Sequence, residues 1–352
     1  MSGLSHPVSQ PYQRSDKIGA RVNPGQGAPP NTAAQAAEAS YYGVPVIHKP
    51  HWKWLVIVYF FLGGISGAAY TIAAIAGAVG PSSDRSLVRA GRYLSFATLL
   101  PCPVLLILDL GRPERFLYML RVLKLRSPMS LGTWGLTIFG AFASLSAVQQ
   151  IAADKPTLPP WVQRSVCRVP PHRIAIAGVP FALFVSGYTG VLLAATAVPL
   201  WAKRGLLLGP LFLTAALSSG VSALTALLAL RRSTSRDALH RLDNLERVTL
   251  VTELVLLVSW IIRLGRTAKP ITEGSTGRLL RYGVIGAGLT VPLALDRIFD
   301  HQSGSRPRTL HLLSATLVLV GGFALRYVVV VGGQASADDP QATFDLTRLG
   351  QP

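Results

Sequence analysis

The sequence predicts an all-α membrane protein, a polytopic bundle of about eight transmembrane helices. Half of its 352 residues are apolar, only 14% are charged, and 33 are glycine, a composition typical of polytopic membrane proteins. A helix needs about 20 apolar residues to cross the hydrocarbon core, and the sequence contains eight runs that meet this need. They cover residues 54–80, 87–108, 131–151, 174–199, 205–230, 244–262, 279–295 and 310–331.

These runs divide the chain into one transmembrane domain and two tails. Residues 1–45 are rich in Pro, Gly, Ser, Gln and Ala and are too polar for the core of a signal peptide. We therefore predict a disordered N-terminal tail that is not cleaved. The eight-helix domain is expected over residues 46–334, followed by a C-terminal tail over 335–352. Eight crossings place both ends of the domain on one face of the membrane, here called the termini side.

The protein carries a formal net charge of +18. A charge of this size is also found in nucleic-acid-binding proteins, but here the bases are spread over all the loops and form no basic face with interleaved aromatics. Contacts with anionic lipid and with partner subunits explain them better, so we expect no nucleic-acid partner. The bases divide almost evenly between the two sides, and the positive-inside rule therefore assigns no orientation.

A charged stretch closes the second apolar run. It reads Asp109-Leu110-Gly111-Arg112-Pro113-Glu114-Arg115-Phe116 and lies where hydrocarbon gives way to water. An acid at this edge of the hydrocarbon is costly, so Asp109 indicates either a partner or a function. Pro113 cannot continue a helix and predicts a fixed turn. The alternative is an ordinary helix end with snorkelling charges. Five bases precede the next run: Arg112, Arg115, Arg121, Lys124 and Arg126.

Three stretches carry a resemblance to a known family. The charged stretch leads on to Arg126-Ser127-Pro128-Met129-Ser130, and the first run contains Tyr59-Phe60-Phe61-Leu62-Gly63-Gly64. The last run contains Leu325-Arg326-Tyr327-Val328-Val329, followed by Gly332-Gly333-Gln334. Through these residues the chain, from about residue 41 to 334, resembles the polysulfide reductase/NrfD family of membrane subunits.

The resemblance implies a function for the whole domain. Members of this family are eight-helix, quinone-binding subunits that exchange electrons between menaquinone, or another quinone, and a four-cluster-ferredoxin-type iron–sulfur subunit. A molybdopterin catalytic subunit completes the complex. This protein would then be a multi-pass protein of the cytoplasmic membrane and not an autonomous enzyme. The lead-in over residues 40–46 is similar to that of formate dehydrogenase-like complexes; a polysulfide reductase-like complex is the other option. The iron–sulfur partner is expected to dock on Arg115, Arg121, Lys124 and Arg126.

The cysteine and histidine content agrees with electron transfer by quinone and not by metal. Two cysteines are too few for an iron–sulfur cluster, which usually takes four thiolates. Cys102 lies between two prolines inside the second run, where we expect a kink, and Cys167 lies in a loop. The seven histidines lie in the tail, in loops or at span edges. His172 and His311 could meet on one side, although capping or interfacial packing is the alternative. We therefore expect no haem, no iron–sulfur cluster and no metal site in this protein.

Four ionisable residues lie within or at the edge of the hydrocarbon: Arg92, Asp109, Glu253 and Arg326. Each is a functional candidate, because burying a charge without a partner is costly. Glu253 is predicted to transfer protons, with a protonated structural carboxyl as the alternative. Asp109 and Arg326 share one half of the membrane, where they either approach a quinone headgroup or form a buried ion pair. Arg92 is expected to snorkel to the opposite surface.

The predicted quinone site joins these charges to residues at the membrane edge. His51 has an unperturbed pKa that suits proton exchange near neutrality. Trp134 lies near the start of the third run, where an interfacial aromatic belt is the alternative. The site is therefore predicted to contain His51, Asp109, Arg112, Trp134 and Arg326.

Two other functions compete with this prediction. A secondary transporter would show inverted repeats and paired broken helices with polar residues at the midplane, and Glu253 is nearly alone there. A structural anchor without a working quinone site would need Asp109 and Glu253 only for assembly. Proton pumping through Glu253 would require further intramembrane acids, which the apolar runs do not contain.

Overall fold

The computed structural model describes residues 52, 54–80, 84–110, 114–155, 168–231, 236–300 and 307–338, and all the regular structure within these ranges is helical. Eight helical segments in this part of the chain are long and apolar enough to cross a membrane, which confirms the predicted fold class. They are numbered here spans 1 to 8: Trp54–Val79, Arg85–Asp109, Pro128–Asp154, Pro171–Ala194, Gly205–Ala229, Asp237–Thr272, Gly274–Phe299 and Arg308–Ala337.

The spans differ from the apolar runs mainly in length. The predicted sixth run covers residues 244–262, but one α-helix extends over Arg236–Leu264. Its first turns are charged and fall below any hydropathy threshold, yet several of their side chains are buried against neighbouring helices. The last helix continues to Ala337, three residues into the predicted C-terminal tail. The predicted N-terminal tail and Pro113 lie outside the described residues.

Span 2 is interrupted where the sequence predicts a kink. Its two helices, Arg85–Leu99 and Pro101–Asp109, meet at Leu100. Proline has no backbone N–H, so the prolines at 101 and 103 remove two donors from the helical ladder. Cys102 is fully buried between them, and its thiol donates to the Thr98 carbonyl oxygen at 3.2 Å. Cys167 lies outside the described residues.

Span 7 departs from α-helical geometry over most of its length. A short helix, Gly274–Arg278, leads into a π-helix over Leu279–Thr290, and an α-helix, Val291–Asp300, completes the span. Long π-helical stretches are rare and often mark functional sites or strained packing. Gly288 lies here against the backbone of Gly321 in span 8, so the two helices approach more closely than side chains would allow.

Short helices connect several spans. Arg115–Arg121 lies between spans 2 and 3, and Pro199–Ala202 precedes span 5. Span 5 consists of a 3₁₀ turn, Gly205–Leu207, followed by the α-helix Leu208–Ala229. Span 6 ends in a 3₁₀ turn over Gly265–Ala268 and the helical turn Lys269–Thr272.

Span 1 is the central helix of the bundle. It packs against spans 2, 4, 5 and 8, and its glycines and alanines let these neighbours approach closely. A Cβ on Gly67 would overlap the Ala182 carbonyl and the Ser186 hydroxyl of span 4. Gly63, four residues earlier, has only ordinary contacts around the same position, the nearest being Tyr59 at 3.7 Å. The predicted Gly63–Gly67 packing step therefore depends on Gly67.

This difference predicts unequal effects of two identical substitutions. Gly67→Ala should lower the free energy of unfolding by about 1–3 kcal/mol, because the added methyl meets a backbone carbonyl that cannot move aside. Gly63→Ala should change it by less than about 0.5 kcal/mol. Unfolding of the purified protein in mixed detergent micelles, titrated with SDS, measures both values. Equal losses at the two positions would contradict this packing.

Candidate functional site

A cavity of about 440 Å³ lies among spans 1 to 4. Its walls are the beginnings of spans 1 and 3 and the ends of spans 2 and 4, and the short helix Arg115–Arg121 contributes further lining residues. Because the polypeptide crosses the membrane in alternating directions, these four segments all lie in the termini-side half of the bundle. The cavity is therefore reached from the level of one membrane surface and extends toward the bundle centre.

The lining is mostly apolar and contains a few polar groups. Leu99, Leu106, Leu136 and Leu192 contribute aliphatic surface from three different spans. Ligand sites in proteins commonly combine an apolar wall with a small number of placed polar groups that orient the ligand. The polar or amphipathic lining residues are Trp52, Tyr59, Asp109, Thr133, Thr137, Ser144 and Tyr188.

Asp109 is the carboxylate of this cavity. It is the last residue of the helix Pro101–Asp109 and is partly buried in the lining. A negative charge at a helix C-terminus is disfavoured by the helix dipole, so helix stability does not explain its position. Access to a closed apolar space is what this position provides.

Two tyrosines line the cavity in different hydrogen-bonding states. The Tyr188 hydroxyl of span 4 donates to the Pro128 carbonyl at the start of span 3. Tyr59 of span 1 is 8% exposed, and none of the described residues forms a hydrogen bond with its hydroxyl. Buried tyrosine hydroxyls usually have a partner, so Tyr59 is the cavity residue best placed to donate to a ligand. It stands in the first-run motif Tyr59–Gly64, but sequence reasoning gave it no role.

Trp52 closes one end of the cavity. Its ring stacks on Trp201 with centroids 5.1 Å apart and meets Phe60 edge-on at 6.1 Å. Its carbonyl accepts a hydrogen bond from the Gln334 side chain at 2.8 Å. Trp52 is thus held inside the protein, whereas the neighbouring Trp54 is 66% exposed, as expected of an interfacial belt residue.

Arg326 lies apart from the cavity, on the other side of span 1. It is 1% exposed, and its guanidinium donates to the Gly322 carbonyl at 2.6 Å and to the Phe60 carbonyl at 3.3 Å. The guanidinium also lies over the Phe61 ring, 5.3 Å from its centroid. The predicted ion pair of Asp109 with Arg326 is therefore wrong, because span 8 presents Arg326 to the interior of the other half of the bundle.

Glu253 is the acidic neighbour of Arg326. It is 1% exposed in span 6 and accepts a hydrogen bond from the Ser218 hydroxyl of span 5 at 2.5 Å. Arg326 is the cation that interacts electrostatically with it. Burial of two opposite charges in a low-dielectric interior requires such pairing and hydrogen bonding. The sequence predicted both residues as candidates but paired Arg326 with a different acid.

The remaining predicted quinone-site residues are distributed as follows. Trp134 does not line the cavity, although its neighbours Gly132 and Thr133 do. Its indole nitrogen is buried and has no hydrogen-bond partner among the described residues. His51 and Arg112 lie outside the described residues, so Asp109 is the one predicted member that the described part of the protein places in the cavity.

The predicted docking bases flank the cavity on the termini side. Arg121, Lys124 and Arg126 are all exposed, in the segment that follows the short helix Arg115–Arg121. The side chain of Arg115 lies outside the described part of the protein. Large apolar side chains in the same segment are also exposed, among them Leu123 at 50% and Leu125 at 72%. The segment is therefore a surface with both basic and apolar character.

Arg92 does not snorkel, contrary to expectation. It is partly buried in span 2 and donates to the Gln150 side chain of span 3 at 3.1 Å. Gln150 in turn donates to Asp154, and Asp154 pairs with Arg89 at 2.8 Å. A polar network within the protein thus satisfies Arg92 at the end of the bundle opposite to the cavity.

The histidines do not form a facing pair. His311 is buried in span 8 with its Nδ1 atom 3.2 Å from Asp243 of span 6, whereas His172 is exposed at the start of span 4. No three His, Cys, Asp or Glu side chains gather as a metal site in the described ranges.

Comparison with known proteins identifies relatives over most of the sequence. Residues 46–337 match the family described as "Polysulphide reductase, NrfD". The C subunit of polysulfide reductase from Wolinella succinogenes is 29% identical over 80% of this protein and 94% of its own length. A protein NrfD homolog of Haemophilus influenzae is 27% identical over 83% and 98%, and protein NrfD of Escherichia coli 26% identical over 80% and 95%.

The buried Glu253–Arg326 pair makes a prediction about stability. Arg326→Met should lower the free energy of unfolding by about 3–5 kcal/mol, because the Glu253 carboxylate loses its cation. Glu253→Leu combined with Arg326→Met should be more stable than Arg326→Met alone, since neither charge remains. SDS titration of the single and double variants measures the coupling. Strictly additive losses would show that the two residues do not interact.

Proposed function

Because the chain belongs to the polysulphide reductase NrfD family, we propose that it exchanges electrons between membrane quinone and an iron–sulfur partner, with the quinone in the cavity among spans 1 to 4. It is a multi-pass membrane subunit, and its family is that of the membrane subunits of multi-subunit oxidoreductases. The observation that carries the proposal is the cavity, an apolar space with a carboxylate and an unpaired tyrosine hydroxyl in its lining. We place the protein in the cytoplasmic membrane.

The cavity residues fit the chemistry of a menaquinone or related quinone. When bound, such a group takes up two electrons and two protons to become the quinol. The Tyr59 hydroxyl can donate a hydrogen bond to a carbonyl oxygen of the ring, and the Asp109 carboxylate can pass protons to or from the site. The aliphatic walls exclude water and hold an isoprenoid tail through burial of apolar surface. Trp52 and Tyr188 are fixed by their own contacts and give the cavity a defined shape.

The electrons require a partner that carries metal centres. The exposed bases Arg121, Lys124 and Arg126 lie on the same side of the membrane as the cavity. They suit an acidic face on a four-cluster-ferredoxin-type iron–sulfur subunit, because complementary charge speeds and orients association. Such a subunit would transfer electrons between this protein and a molybdopterin catalytic subunit. The relative from Wolinella succinogenes is named as one lettered subunit of polysulfide reductase, which supports a complex of several polypeptides.

The two competing functions account less well for the cavity. A transporter for a polar substrate would need several polar side chains near the membrane midplane, whereas this lining is mostly aliphatic and aromatic. A structural anchor would need no cavity open to a ligand. Both alternatives remain outcomes of the experiments below.

Gentle purification of the tagged protein with native lipid tests the proposal directly. Organic extraction of the preparation should yield menaquinone or another quinone, and mass spectrometry should identify a co-purifying iron–sulfur protein. A monodisperse preparation that contains neither would overturn the proposal in favour of a transporter.

Filling the cavity should block the quinone without disturbing the fold. A Cβ on Gly140, which lines the cavity, would have nothing within 4 Å, so the larger side chain of Gly140→Leu has open space to occupy. We expect the affinity for an added quinone to fall at least about tenfold, equal to about 1.4 kcal/mol of binding free energy.

The adjacent Ala141 supplies the matched control. It is exposed on the outer surface of span 3, so Ala141→Leu should leave quinone affinity unchanged. Fluorescence quenching by added menaquinone-4 measures both variants. Equal affinity in Gly140→Leu and the parent protein would place the quinone elsewhere.

Substitution of the cavity carboxylate should reduce turnover but not assembly. Asp109→Asn preserves the shape of the side chain and removes its ability to exchange a proton. We expect quinone-dependent electron transfer by the purified complex to fall by about 10²-fold, the lower end of the range for a lost acid–base group. Size-exclusion chromatography should show normal assembly. Full activity in an assembled Asp109→Asn complex would favour the structural anchor.

A further inference from the structure

A column of buried polar side chains runs along spans 5, 6 and 8, and the proposed quinone site does not use it. On each helix its members are three, four or seven residues apart, so they share one face. All are less than 9% exposed. The column is called here the polar seam and comprises Ser218 and Ser222 of span 5, Asp243, Glu246 and Glu253 of span 6, and His311 of span 8.

Contacts between side chains join the three helices along this seam. The Ser218 hydroxyl donates to Glu253 at 2.5 Å, and the Ser222 hydroxyl, one turn away, donates to Glu246. His311 reaches across to Asp243, with 3.2 Å between Nδ1 and Oδ1. Spans 6 and 8 both pack against span 5, so these bonds connect the elements from side to side. Each acid of the seam therefore faces a hydroxyl or an imidazole.

Two further hydroxyls on the same helix faces lack any partner in the described part of the protein. Thr225 of span 5 is 1% exposed and Ser314 of span 8 is 3% exposed, and neither hydroxyl oxygen accepts or donates a hydrogen bond there. A buried polar group left unsatisfied costs about 1–3 kcal/mol. Buried water in proteins binds at such groups. The stretch between Asp243 and Glu246 is therefore suited to hold water beside its acids.

The seam extends halfway across the membrane and ends behind the cavity. Ten residues separate Asp243 from Glu253, about 15 Å along a helix, which is half of a hydrocarbon core about 30 Å thick. Asp243 lies in the second turn of span 6, on the side of the membrane opposite to the termini. At the other end, Glu253 adjoins Arg326, whose guanidinium donates to the Phe60 carbonyl at 3.3 Å. Phe60 is itself a lining residue of the cavity.

We propose that the polar seam conducts protons between the opposite side of the membrane and Glu253. Each step moves one proton from a donor oxygen or nitrogen to a neighbouring acceptor, and no group changes its oxidation state. Hydroxyl groups and water serve because they both donate and accept, and the carboxyl groups take up and release the proton. The groups that face Glu253 from the packed helices are the Ser218 hydroxyl and the Arg326 guanidinium. Arg326 stabilises the carboxylate after the proton has left.

This route was not expected from the apolar runs, which showed no further intramembrane acids beside Glu253. Asp243 and Glu246 supply them, because the helix of span 6 begins before the apolar run and carries both side chains into the protein. Conduction along the seam does not depend on the proposed function. Its use does: protons that reach Glu253 arrive at the wall of the cavity in which we place quinone chemistry.

The test uses the full-length protein in lipid nanodiscs with no quinone and no partner. Infrared difference spectra recorded after a rapid change of buffer pH, and after exchange into D₂O, follow the protonation of buried carboxyl groups. The signal that is absent from Glu253→Gln belongs to Glu253. We expect this signal to respond to the buffer in the parent protein. In Glu246→Gln, and in Thr225→Val combined with Ser314→Ala, the response should be at least about tenfold slower, equal to about 1.4 kcal/mol of added barrier.

Lipid-facing threonines on spans 6 and 8 provide the controls. Thr252 and Thr316 are exposed, so Thr252→Val and Thr316→Val should leave the rate unchanged. A Glu253 signal that never follows the buffer, or one that responds at the parental rate in both seam variants, would overturn the proposal. Failure to extract quinone from the purified protein would instead count against the proposed function and leave this result standing.

Discussion

The bundle depends on the satisfaction of one buried cation. Arg326 lies inside the protein at a depth where an unpaired charge would be too costly to retain, and four groups stabilise it. The Phe60 and Gly322 carbonyls accept its N–H donors, the Phe61 ring lies under its plane, and Glu253 supplies the opposite charge. These groups come from spans 1, 6 and 8, so the arginine fixes the relative position of three helices. Gly64 contributes by absence of a side chain, since a Cβ there would lie 3.1 Å from the guanidinium.

Span 1 separates two environments that have different chemistry. On one side lies an apolar cavity with Asp109 and Tyr59 in its lining, suited to a hydrophobic ligand that carries carbonyl groups. On the other side lies the polar seam, where acids and hydroxyls follow one another through the membrane. Phe60 takes part in both, because it lines the cavity and its carbonyl binds Arg326. A quinone reaction consumes or releases protons as well as electrons, and this arrangement gives protons an approach from the side opposite to the cavity mouth.

The sequence predicts the fold well because each crossing requires about 20 apolar residues, and that requirement is visible in single helices. It predicts the neighbours of each side chain poorly, because these depend on how far every helix is rotated about its own axis. Trp134 illustrates the point: Thr133, one residue earlier, lines the cavity, and a step of one residue turns a side chain by about 100° on a helix. Arg326 was likewise assigned to the correct half of the membrane but to the wrong acid. Tyr59 and Trp52 could have been proposed, since buried hydroxyl and indole groups need partners.

The location of the quinone is the central claim, and photoaffinity labelling tests it most directly. An azido-substituted quinone would be bound to the purified complex, activated by light, and mapped by peptide mass spectrometry, with unlabelled menaquinone-4 as the competitor. The account predicts competed labels on peptides from spans 1 to 4, particularly around Tyr59, Asp109 and Gly140. Competed labels on spans 5 to 8 alone, or labels that menaquinone-4 does not displace, would contradict it.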